Sequence, residues 1–116
     1  KLIIGSSLGG FLGYWLAEDL GLPCLLFNPA MNFQSVMNLD MPQLSELKCP
    51  LRLIVLGAND DSVDPVKNLE YFKNKNREGL TQKILNCHWL GHQIDFETFE
   101  VMIAWGMKYL ELLKKK

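Results

Sequence analysis

No apolar run in this 116-residue chain approaches the roughly 18 residues that a membrane-spanning helix needs, because Gly, Asn, Asp and Lys interrupt each one. No membrane association is expected. Cysteine is scarce: Cys24, Cys49 and Cys87 are odd in number and show no C-x-x-C spacing, which speaks against a disulfide framework and against a zinc site. A reducing, cytoplasmic setting follows as the expectation, with no metal and no cofactor. Cys24 and Cys87 lie inside apolar runs, where a thiol serves as a small buried hydrophobe. The chain also lacks an excess of either charge, with 12 basic and 13 acidic residues and a formal net charge of -1, so nucleic acid is not an expected partner. The one like-charge run, Lys114–Lys116, follows an apolar helical pattern and reads as its C-terminal counter-charge. Histidine occurs only twice, at 88 and 92. An initiator Met is missing as well: Lys1 leads straight into Leu2-Ile3-Ile4, so a preceding portion of the protein is expected.

What is present has the length of one domain, and residues 1–116 are read as a single unit. Four apolar runs, at 2–4, 24–27, 51–56 and about 83–87, alternate with helical patterns. That alternation predicts an α/β fold: three layers, with a mostly parallel four-stranded sheet flanked by helices. Over 8–20, Phe11/Trp15 and Leu12/Leu16/Leu20 recur at four-residue spacing and predict a helix with one broad apolar face, stopped by Gly21 and Pro23. Asp64-Pro65 supplies an N-cap and a first-turn proline for a helix over about 65–77. The last and longest helix starts near Asp95, with Glu97 and Glu100 in its first turns. Residues 29–48 show no period and read as a loop with one or two helical turns.

Gly5-Ser6-Ser7-Leu8-Gly9 matches G-x-S-x-G, a pentapeptide that recurs by chance in about 4% of chains this long at average residue usage. Its context carries more weight: it falls directly after an apolar strand and directly before a helix. There a serine on a strained turn exposes its hydroxyl, and small residues on either side avoid a clash. Ser7 is therefore the candidate nucleophile and the Leu8 N–H a candidate oxyanion donor. Phosphate binding at the same Gly-rich turn is the competing function, but the chain lacks GK[ST] and G-x-G-x-x-G.

A serine hydroxyl needs a base to take its proton and a carboxylate to orient that base. His92 follows Gly91 in a turn beyond the last strand and is preferred to His88, which reads as surface or packing. Of Asp60, Asp61, Asp64 and Asp95, the last two are better explained as N-caps. Asp60 comes three residues after Gly57, at the edge where ligands gather in α/β folds, and is preferred to its neighbour Asp61.

These residues resemble the α/β-hydrolase superfamily, and within it the small bacterial YqiA-like esterases. The resemblance rests on Gly5-Ser6-Ser7-Leu8-Gly9-Gly10-Phe11, Leu16-Ala17-Glu18, Gly21-Leu22-Pro23 and Asn28-Pro29-Ala30, and more loosely on Gly57–Asp64 and Gly91-His92. It implies the C-terminal, catalytic part of such a fold, with the triad order Ser7, Asp60, His92. It also implies cleavage of an ester or thioester of a small acyl substrate without a cofactor. Family members carry further N-terminal strands, one of whose loops provides a second oxyanion donor. In this reading Met31 and Phe33, with Met37 and Met41, line an acyl pocket, and ordinary core packing is the alternative. The rival class is a catalytically silent domain that binds a partner. In either class the 2–4 strand is expected at a sheet edge, paired by a missing N-terminal segment or by a second copy in a homodimer.

Overall fold

The computed structural model describes residues 1–33, 44 and 46–115. Met37, Met41 and most of the loop expected over 29–48 lie outside the described residues. Four strands, β1 (Ile3–Ser6), β2 (Cys24–Phe27), β3 (Leu51–Gly57) and β4 (Thr81–Cys87), form one sheet in the order β1-β2-β3-β4. Every pairing is parallel, with Ile3 beside Cys24, Cys24 beside Arg52 and Arg52 beside Gln82. Helices α1 (Leu8–Leu20), α2 (Pro65–Lys73) and α3 (Phe96–Lys114) complete the layers. Parallel strands covered on both faces are mostly apolar, and β2 and β3 are buried at every position, with Arg52 of β3 the charged exception.

Successive side chains alternate between two cores. Cys24, Leu26, Ile54 and Leu56 meet Phe11, Tyr14 and Ala17 of α1 and Phe72 of α2. Leu25, Phe27, Leu53 and Val55 meet Met102 and its neighbours on α3. Gly106 is buried on the side of α3 that meets the sheet, where a Cβ would lie in ordinary van der Waals contact with Leu53 and Leu25 at 3.5 and 3.6 Å.

The expected helix ends are found. Gly21 closes α1 in the left-handed region with φ 70°, Asp64 accepts from the Val66 amide, and Asp95 accepts from the Thr98 amide. Three expectations need correction. In α1 the leucine stripe faces outward: Leu12, Leu16 and Leu20 are each more than half exposed, and the buried side carries Phe11, Tyr14, Ala17 and Glu18. Gly10 and Gly13 on that side let the helix approach the sheet, and a buried Arg52 draws Glu18 inward. Helix α2 stops at Lys73 instead of about 77, as the Lys75 amide turns back to the Phe72 carbonyl and Arg77 reaches away to Glu18. Strand β4 begins at Thr81 because residues 81 and 82 pair with Leu51 and Arg52.

Candidate active site

Ser7 joins β1 to α1 with φ 56° and ψ -119°, a conformation that costs a non-glycine residue on the order of 1–3 kcal/mol. Its backbone is clamped on both sides. The amide donates to the Phe27 carbonyl at 3.0 Å, and the Ser7 carbonyl accepts from Ala30 at 2.8 Å. The side chain does not cap α1. Tight packing enforces the turn at Gly5, where a Cβ would lie 2.3 Å from the Gly9 carbonyl oxygen, and at Gly10, where it would lie 2.8 Å from the Pro29 side chain. Gly9 itself would meet nothing within 4 Å, so the steric demand falls one residue later than the pentapeptide implies. The Leu8 N–H, at the first position of α1, has no intrahelical acceptor.

Asp60 lies in the turn after β3, and its side chain has no solvent exposure. One carboxylate oxygen accepts from the amides of Ser62 and Val63 at 2.8 and 2.9 Å. The other lies 2.9 Å from Nδ1 of His92, in the turn after β4. Both oxygens are thus spoken for, and the imidazole is held by one nitrogen. Asp61 is exposed, as is His88, whose backbone carbonyl accepts from the Asn59 side chain.

Three inter-strand steps of roughly 4.8 Å, about 14 Å in all, separate the ends of β1 and β4, so His92 must fold back over the sheet edge to approach Ser7. Asn28 is bonded to the loop that carries His92. Completely buried at the end of β2, with φ 42°, it donates from Nδ2 to the carbonyls of Gly91 (2.9 Å) and His92 (3.2 Å). Its Oδ1 accepts from the Gly57 amide at 2.7 Å. The loops after β3 and β4 are laced further by Ala58 to Cys87 and Asn59 to Leu90 backbone bonds. A Cβ on Gly57 would come within 2.5 Å of the Leu90 oxygen. The structure therefore joins Asp60 and His92 directly, while among the described residues no hydrogen bond links the Ser7 hydroxyl to His92.

Met31 is buried in the core beneath α1, and the Phe33 ring packs against Phe11 with centroids 5.5 Å apart and planes tilted by 55°. Asn28 was the residue missed. Its signals in the sequence are the Asn-Pro step after an apolar strand and its place in the Asn28-Pro29-Ala30 segment of the resemblance, and neither says what the side chain holds. A cavity of about 250 Å³ lined by Leu51, Thr81, Tyr109, Leu112 and Leu113 opens at the opposite end of β3 and β4, away from this cluster.

The profile of the Uncharacterised protein family UPF0227 matches residues 1–83. The chain belongs to that family. Curated protein sequences yield no match to this UPF0227 member. Among solved structures it is similar to esterase PE8 at 16% identity and a TM-score of 0.66, covering 92% of this chain and 49% of that one. It is similar also to a variant of SOBER1 from Arabidopsis thaliana, at 22% identity and a TM-score of 0.62, covering 94% and 53%. A third is a predicted CIB-like hydrolase from Thermoplasma acidophilum, at 19% identity and 0.57, covering 95% and 50%. The shared fold is a partial α/β-hydrolase fold, and the UPF0227 chain spans about half the length of these structures.

Proposed function

We propose that this chain carries the catalytic residues of a serine hydrolase that cleaves carboxylic ester or thioester bonds of small acyl substrates. The observation that carries the reading is the buried Asp60 carboxylate, fixed by two amides and set 2.9 Å from His92 Nδ1, at the same sheet edge as the strained Ser7. In the proposed reaction Nε2 of His92 takes the Ser7 proton as Oγ attacks the acyl carbon. The Leu8 N–H donates to the oxyanion. His92 then protonates the departing alcohol or thiol, and a water activated by the same nitrogen hydrolyses the acyl-enzyme. Asp60 accepts from Nδ1–H and orients the ring. Treatment with a fluorophosphonate should label the chain, and Ser7→Ala should abolish labelling with the fold intact. Absence of labelling in the unaltered protein would leave the reading of a silent interaction domain.

A partner reading is favoured by the β1 edge. No strand pairs with its outer side among the described residues, Ile4 is 45% exposed, and Leu8, Leu12, Leu16 and Leu20 form an outward apolar stripe. An unprotected edge of this kind invites pairing. We propose that it is occupied in the working protein, by another segment or by a second copy that joins two sheets antiparallel. Light scattering that finds a stable monomer of this chain would exclude the second copy. We propose too that residues 1–116 form one domain and that the setting is cytoplasmic, the latter supported by three free, buried cysteines.

A further inference from the structure

We infer that Asn28 is a positioning residue that sets where the His92 imidazole starts, and so couples the base to the serine turn. The inference rests on the serine-hydrolase reading and deepens it. Phe27, Asn28, Pro29 and Ala30 form one short turn with four anchors. Phe27 and Ala30 hold the two sides of the Ser7 backbone. Asn68 of α2 donates to the Pro29 carbonyl at 2.8 Å, and Pro29 packs against the bare Cα of Gly10. Asn28, in the middle, reaches across to the loop that carries the base.

Only a carboxamide satisfies the groups around Asn28. The Gly57 N–H requires an acceptor, and the carbonyls of Gly91 and His92 require two donors. Reversing the amide, or replacing it with a carboxylate, places oxygen against two carbonyls. An aliphatic residue leaves the buried Gly57 N–H and the partly buried carbonyls of Gly91 and His92 without this partner. The imidazole is consequently fixed at two points, its backbone by Asn28 and its Nδ1 by Asp60, which leaves Nε2 as the free nitrogen. A shift of about 1 Å in such a group costs on the order of 10²-fold in rate.

Two variants separate the side chain from the backbone. Asn28→Gly keeps the positive φ without strain and removes the amide. Asn28→Asp keeps the shape and the acceptor for Gly57 but opposes the two carbonyls. The measurements are fluorophosphonate labelling rates, thermal melts and the proton NMR signal of the His92 Nδ1–H, identified by its absence in His92→Ala. We expect both variants to label on the order of 10²-fold more slowly and to lose or shift the His92 signal at temperatures where the melts show them folded. Unchanged labelling and an unchanged His92 signal in either folded variant would overturn the inference. If the unaltered protein does not label at all, the hydrolase reading fails, while the NMR comparison still decides whether Asn28 places His92. Should Asn28→Asp fail to fold, Asn28→Gly decides alone.

Discussion

Glu18 of α1 and Arg52 of β3 face each other at 2.7 Å, and neither side chain keeps more than 1% of its solvent exposure. Arg77 closes the pair from the other side with bonds of 2.9 Å to both carboxylate oxygens, and the Cys49 amide adds a fourth donor. The Arg52 guanidinium lies 4.6 Å from the centre of the Tyr14 ring and also donates to Gln82. Desolvated charges of this kind are tolerated when they are paired, and here Arg52 Nε alone of the guanidinium nitrogens has no partner among the described residues. They tie α1, β3, β4 and the turn after α2 together beneath the candidate site. Glu18→Ala would strand Arg52, and we expect a loss of about 3–5 kcal/mol in urea unfolding. Adding Arg52→Met should recover part of that loss, and a double variant less stable than the single would contradict this account.

Asp60 has two jobs that substitution can separate. Asp60→Asn keeps an oxygen for the Ser62 and Val63 amides but cannot hold the imidazole in the same tautomer. On the proposed function, ester hydrolysis should fall by about 10³–10⁴ with little change in stability. Asp60→Ala should add a stability loss of about 1–3 kcal/mol, read by denaturant titration, because two amides lose their acceptor.

The glycines of the serine turn are predicted to differ. Gly5→Ala drives a methyl group into the Gly9 backbone and should destabilise by about 1–3 kcal/mol, with loss of labelling. Gly9→Ala, in open space on α1, should be neutral or stabilising by up to about 1 kcal/mol. Equal effects at the two positions in parallel melts would count against the packing described.

Acid sensitivity should trace in part to the cap of α3. The Thr98 hydroxyl, and then its amide, hold the Asp95 carboxyl below its ordinary value. A carboxyl with a depressed native pKa contributes stability above its unfolded value near 4, and that contribution disappears as the pH falls through the native value. Asp95→Asn should therefore be the less stable protein at neutral pH, with the gap closing in acid. A gap independent of pH in paired denaturation curves would show that the cap's charge is irrelevant.

Local chemistry was legible in the sequence. Four apolar runs became four parallel strands, Gly21, Asp64 and Asp95 ended or began helices where their types require, and the strand-turn-helix context of Ser7 appeared as a strained turn. Each of those depends on neighbours within a few residues. The sequence alone predicted one broad apolar face for α1 and could not say that its leucine side would be left outside. Burial of Gly10, Gly13 and Glu18 was decided by β1, β2 and Arg52, all contacts across strands. Nor could it show that Asn28 holds a loop 63 and 64 residues away. An asparagine's partners are set by what the fold brings against it, so the tie between the serine turn and the histidine loop exists only in the tertiary structure.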